Sequence, residues 1–330
     1  MRRRTIFGGA LGAVAWSRSI AWAQPAAGAR RLGVLLPFRS DDSIGQTRAD
    51  DLRRGLAAHG WQEGRNLLID WRWGAGDAAL FERHAIELVA LAPDVLVAQS
   101  SPSARALQRH TNKIPIVFSI VTDPVGQHLV DSLTRPGGNI TGFSDFDAPM
   151  AGKWVEMLSQ IAPPVSKATV IFNPSAASFA GLMIQPIADA AKAFSIAIES
   201  VPVNDDAEIE RAISAHAKEH GRGVIVLPDI FSFVHRDTIV GAANQGELPA
   251  IYWHRAFVAS GGLMSYGVDS GEMVRRSADY VDRILRGARP ADLPVQQPVK
   301  FSMIVNLRTA RAIGLEVPPT LLAGANEVIE

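Results

Sequence analysis

Ser101 and Pro102 make a local chemical signal. A serine capping a helix, with a proline at the first helical position, sets up a helix start whose free N–H groups and partial positive charge suit a carboxylate. The same pair also serves as a plain cap facing water. Other polar and aromatic residues fall where apolar runs end. Phe38 and Ser40 follow the first run, and Ser100 and Ser103 flank Ser101. Ser119, Thr122 and Asp123 close the fourth run, and Asn173 and Asp229 end runs in the second half of the chain. Asp123 and Asp229 have the charge to hold an ammonium group, although aspartates at such ends also cap loops. Tyr266 and Phe38 offer aromatic faces for a ligand side chain.

Catalytic and cofactor motifs weigh less. With no cysteine, the chain has no disulfide, no thiolate nucleophile and no Cys-ligated zinc. Gly74-Ala75-Gly76-Asp77-Ala78-Ala79 fits a dinucleotide turn in form, but its acidic partner would be Asp94, at the start of the following strand rather than beside the phosphates. His216-Ala217-Lys218-Glu219-His220 has zinc-motif spacing, yet it sits in the last turn of a charged helix, and no acidic third ligand follows. Pro136-Gly137-Gly138-Asn139 lacks the Gly-Lys-Ser/Thr ending of a phosphate cradle. Neither a G-x-S-x-G elbow nor a P-loop is present, so no catalytic, cofactor or metal constellation stands out as a local signal. The rival reading, a secreted α/β hydrolase or nucleotide-sugar enzyme, needs a site assembled only in three dimensions.

The elements that must position these residues are legible. From residue 31 short apolar runs alternate with amphipathic stretches, the pattern of a parallel sheet covered by helices. Strands are expected at 32–37, 66–73, 94–99, 114–121 and 139–144, then at 168–173, 198–203, 223–228 and 249–253. The unbroken run Val224-Ile225-Val226-Leu227 reads as a strand buried on both faces. In parallel sheets ligands bind beyond the carboxyl ends of strands, which is where the polar residues above fall. Residues 261–267 read as a Gly-rich connector, and 294–305 as an extended one. The fold class predicted is α/β, with two Rossmann-like lobes on parallel sheets joined by a three-stranded hinge. Lobe 1 takes 31–146 plus 264–296, and lobe 2 takes 147–263 plus 297–330.

Arg2-Arg3-Arg4, a short apolar run to Trp16 and the A-x-A site Ala21-Trp22-Ala23 predict an export signal at residues 1–23, routed through either the twin-arginine or the general secretory pathway. The apolar run is too short to span a bilayer. Without the leader's four arginines the chain carries 29 basic and 33 acidic residues, which gives no electrostatic reason to bind nucleic acid or an anionic membrane.

Longer motifs add a resemblance. The segments Asp51-Leu52-Arg53-Arg54-Gly55-Leu56, Gly60-Trp61-Gln62-Glu63-Gly64-Arg65-Asn66 and Ala92-Pro93-Asp94-Val95 resemble the ABC transporter substrate-binding family, whose characterised relatives bind aromatic amino acids. So do Asp123-Pro124-Val125-Gly126, Arg135-Pro136-Gly137-Gly138-Asn139 and Gly261-Gly262-Leu263-Met264-Ser265-Tyr266-Gly267. The resemblance implies a type I periplasmic-binding fold, a small-molecule ligand such as an amino acid or related carboxylate, and an ABC permease with its cytoplasmic ATPase as partners. It also implies a monomeric protein of the periplasm without catalytic activity, and the absence of cysteine removes the acylated residue that a lipoprotein would need. A ligand-sensing subunit without transport is the variant of that role. The cleft-facing positions implied are Ser100, Ser101, Thr122, Asp123, Asn173, Asp229, Ser265 and Tyr266. Here the chain has Ser100-Ser101 where relatives often have Gly-Thr or Gly-Ser.

Overall fold

The computed structural model describes residues 28–146, 149–217 and 219–330; the export signal expected at 1–23 lies outside the described residues. The first sheet contains β1 (Arg30–Leu36), β2 (Leu67–Trp73), β3 (Val95–Gln99), β4 (Ile116–Val121) and β5 (Ile140–Ser144), in the order β2-β1-β3-β4-β5. All its pairings are parallel. The second contains β6 (Lys167–Phe172), β7 (Ala197–Pro202), β8 (Arg222–Val226), β9 (Ala250–Tyr252), β10 (Met264–Val268), β11 (Phe301–Asn306) and β12 (Glu327–Ile329). Its order is β12-β11-β10-β9-β8-β6-β7, and it is parallel except between β10 and β11.

Burial on both faces explains the unbroken apolar runs. In β1, Val34 and Leu36 pack with Leu52, Leu56, Val274 and Val281 on one face, while Leu35 packs with Phe81, Leu88 and Phe118 on the other. The helix Ser270–Leu285, late in the chain, closes the first face beside the helix Ser43–Ala58. In the second lobe the fully buried Trp154 anchors the core and donates its indole N–H to the Tyr266 carbonyl at 2.8 Å.

Two late segments depart from expectation. The Gly-rich run at 261–267 is mostly strand β10, built into the second sheet. Gly267 permits this because a Cβ there would lie 1.7 Å from the Trp253 carbonyl oxygen. The expected lobe boundary at 264 is therefore corrected: the crossing follows β10, at Asp269 and Ser270, because pairing with β9 and β11 holds 264–268 in the second sheet. Residues 294–305 divide between the lobes. Gln296 bonds along β5, with Ser144 N–H donating to its carbonyl at 2.8 Å, while β11 joins the second sheet. The chain thus passes between sheets after Asp145, near Asp269 and beyond Gln296, three connectors of the kind that let two rigid bodies hinge.

Candidate functional site

The carboxyl ends of the two sheets face each other across a narrow cleft. Aromatic side chains form much of the wall. Phe38 leaves the end of β1, and Phe179, Phe233 and Trp253 come from the second lobe. The Phe38 and Phe233 rings meet edge to face at 5.7 Å between centroids, which joins the lobes across the cleft. Phe233 in turn lies 5.6 Å from Trp253 and stands edge-on to His254 at 5.0 Å.

Around this apolar surface sit polar residues from strand ends. Ser100, not Ser101, is the cap of the helix Ser101–His110: its hydroxyl accepts from Ser103 N–H at 3.4 Å. Pro102 has no N–H, so the first turn keeps only the Ser101 amide as a free donor, a weaker carboxylate seat than the sequence suggests. The Ser101 hydroxyl accepts from the Gln127 amide at 3.0 Å. Ser100 at φ 91° and Ile120 at φ 58° both line the cavity in left-handed conformations that are costly for residues with a Cβ, Ile120 most of all.

Two carboxylates line the cavity and do different things. Asp229 is structural as well as cavity-lining, because one oxygen accepts from Ser232 N–H at 2.6 Å and the other from Asn173 N–H at 3.2 Å, pinning the ends of β8 and β6 together. Asp145, which the sequence reading passed over, receives the Thr122 hydroxyl at 2.8 Å. Burial pushes both carboxyls up, each to about 6, against the pull of those hydrogen bonds.

Among the expected site residues, Phe38, Ser100, Ser101, Thr122 and Asp229 line this cavity, and Asp123, Asn173, Ser265 and Tyr266 do not. Asp123 caps its own loop, accepting from Gly126 N–H at 2.9 Å. Asn173 is buried and spends its amide on Ala176 N–H and the Val203 carbonyl, while its backbone N–H serves Asp229. Ser265 is buried within β10, and the Tyr266 ring stacks on Phe301 at 5.6 Å. The motif at Gly74 is also accounted for: the Asp77 carboxylate accepts from Ala79 and Leu80 N–H, filling the helix start where a phosphate would sit.

Sequence reasoning missed Arg48, Gln99, Asp145, Trp253, His254 and Ser270, all cavity-lining. Several carry buried polar atoms with no hydrogen-bond partner among the described residues: Arg48 Nε, both ends of the Gln99 amide, Trp253 Nε1 and Ser270 Oγ. Gln99 was available as a strand-end residue. Arg48 lies six residues into a helix, where no end signal operates. Orphaned polar atoms are rare inside proteins and are expensive, so their concentration in one cleft marks a surface built to receive a polar molecule.

Two α/β sheets whose carboxyl ends face across such a cleft, with three connecting passages, define a type I periplasmic binding protein. The chain belongs to the ABC transporter substrate-binding protein family, whose model matches residues 34–329. It is similar to a tyrosine-binding protein of Clostridioides difficile, 28% identical over 264 residues, which are 80% of this chain and 75% of the relative. A solved structure of a conserved domain protein from Vibrio cholerae superposes with TM-score 0.84 at 31% identity, covering 91% of this chain and 99% of the other. The structure of an ABC domain in complex with L-Trp from Streptococcus pneumonia gives TM-score 0.85 at 25% identity, with 91% and 100% covered.

Proposed function

We propose that the protein is the exported solute-binding component of an ABC importer and that it captures an amino acid with an aromatic side chain in the interlobe cleft. The observation that carries this reading is the cleft wall, where four aromatic rings surround an apolar centre and buried polar atoms without partners flank it. The names of two relatives, one tyrosine-binding and one bound to L-Trp, support the same ligand class. Rings would stack on or stand edge-on to Phe38, Phe233 and Trp253. Asp145, with Thr122 beside it, is the better seat for the ammonium, since Asp229 is already committed to two backbone amides.

The role requires binding and release, with no bond made or broken. Its partners are an ABC permease and the attached ATPase, and the protein acts as a monomer in the periplasm. No described helix is long and apolar enough to cross a membrane, and the expected leader supplies the route of export. A thermal-shift screen of the amino acids, sugars and nucleosides tests the reading. A ligand at 100 times its dissociation constant adds about 2.7 kcal/mol of stability. Aromatic amino acids are expected to raise the melting temperature most; a shift produced by sugars alone would overturn the ligand class.

A further inference from the structure

Arg48 is a buried cation that makes no ion pair among the described residues; Asp51 and Asp269 act on it only from beyond ion-pair distance. It is 7% exposed, no carboxylate lies within ion-pair distance of it among the described residues, and its Nε has no hydrogen-bond partner. The nearest acid on its own helix, Asp51, is paired with Arg54 at 2.6 Å and with Arg275 at 2.8 Å. Asp269 is the cap of the helix Ser270–Leu285, accepting from Glu272 N–H at 3.0 Å. Burial lowers the guanidinium only to about 10, so it remains charged at neutral pH. A buried charge with no direct partner is costly, and proteins tolerate it where a ligand supplies the missing contact.

The neighbours of Arg48 sharpen the point. Arg48 Nη2 lies 3.3 Å from His254 Nε2, while His254 Nδ1 accepts from Ala256 N–H at 3.1 Å as a helix cap. The cap bond places the proton of the neutral ring on Nε2. Burial and the charges of Arg48, Arg255 and Arg236 hold that ring in its neutral form. Two donors, a guanidinium N–H and an imidazole N–H, therefore face each other with no acceptor between them. The Ser270 hydroxyl, also unpartnered and 3% exposed, lines the same wall. An oxygen anion drawn against this wall would supply the acceptor that these donors lack.

We infer that Arg48, with His254 and Ser270, forms the carboxylate subsite of the cleft and makes the protein selective for ligands carrying a free carboxylate. This rests on the reading of the cleft as an amino-acid site, and it moves the carboxylate from the helix start at Ser101 to the wall beside the connector at Asp269. A planar guanidinium can give one carboxylate two parallel N–H bonds, a geometry that lysine does not reproduce.

The test titrates the purified protein with three sets of compounds: the free aromatic amino acids, their decarboxylated amines and the corresponding 3-arylpropionates. Wild-type protein is expected to bind the free amino acids on the order of 100-fold more tightly than the amines. Arg48→Gln should erase that preference, weakening amino acids and arylpropionates while leaving the amines unchanged, and Arg48→Lys should restore only part of it. Equal affinity of wild-type protein for amino acids and amines, or an unchanged preference in Arg48→Gln, would overturn the assignment. Should none of the three sets bind, the amino-acid reading itself fails, and the melting temperature of ligand-free Arg48→Met still decides the role of Arg48. A variant as stable as wild type, or more so, fits a charge kept for a ligand, and a clear drop shows that Arg48 is structural.

Discussion

Asp145 and Asp229 show how two buried carboxylates, one following a strand of each sheet, acquire different roles from their hydrogen bonds. Asp229 accepts from two backbone amides and holds strands together, whereas Asp145 has a single hydroxyl from Thr122. Both are raised by burial to about 6, above the ordinary aspartate value. An ammonium ligand needs Asp145 ionised, so affinity should rise as pH climbs through about 6 and level off above it, falling by up to about tenfold per pH unit below. Stability of the ligand-free protein should run the other way. Between about 4 and 6 the native carboxyls hold protons that the unfolded chain has lost, so stability falls as pH rises through that window. Calorimetry of Asp145→Asn checks the assignment: the variant should lose on the order of 30-fold in affinity and most of the pH slope. An unaltered slope would place the titrating group elsewhere. The sequence made Asp229, Thr122 and Phe38 visible because they follow apolar runs. Arg48 was hidden mid-helix, and its meaning lies in what it lacks nearby, a property that no linear pattern records.

At the scale of elements, the order of the first nine strands followed from hydrophobic rhythm, since strands buried on both faces leave unbroken apolar runs, whereas β10, β11 and β12 did not show in it. Residues 261–267 misled because glycine density usually marks a connector, while here it marks close approach of backbones. Gly267 sits on β10 against β9, where a Cβ would come 1.7 Å from the Trp253 carbonyl. Gly267→Ala must therefore push β9 and β10 apart or displace Trp253, which lines the cleft. We expect loss of about 2 kcal/mol or more in denaturant unfolding, as overpacking of a tight core costs, together with weaker binding. A variant with wild-type stability would show that β9 and β10 have slack. Ser100 makes a related point about caps: the local signal correctly marked a helix start, but the cap was one residue earlier, and Pro102 then removed a donor that the carboxylate reading needed.

For the whole molecule, the cleft exists because chain order and spatial order diverge. The helix Ser270–Leu285 returns to the first lobe after the second sheet is largely built, which places Ser270 at a crossing and beside Arg48 and His254. Contacts across the cleft hold the lobes together in this structure, among them Phe38 against Phe233 and Arg105 donating to the Ser178 hydroxyl at 2.7 Å. Such contacts are available only when the lobes approach, so a ligand filling the space between them adds to closure. The two-lobe plan was legible from repeated strand rhythm, while the position of the crossings depended on strand pairings that sequence does not display. The central claim, capture of an aromatic amino acid, is tested most directly by isothermal titration of the purified protein with L-tryptophan, L-tyrosine and L-phenylalanine. Saturable one-to-one binding of at least one of them is expected, with a negative heat-capacity change from buried apolar surface. Absence of saturable heat for all three up to roughly 1 mM, an affinity limit of about −4 kcal/mol, would contradict it.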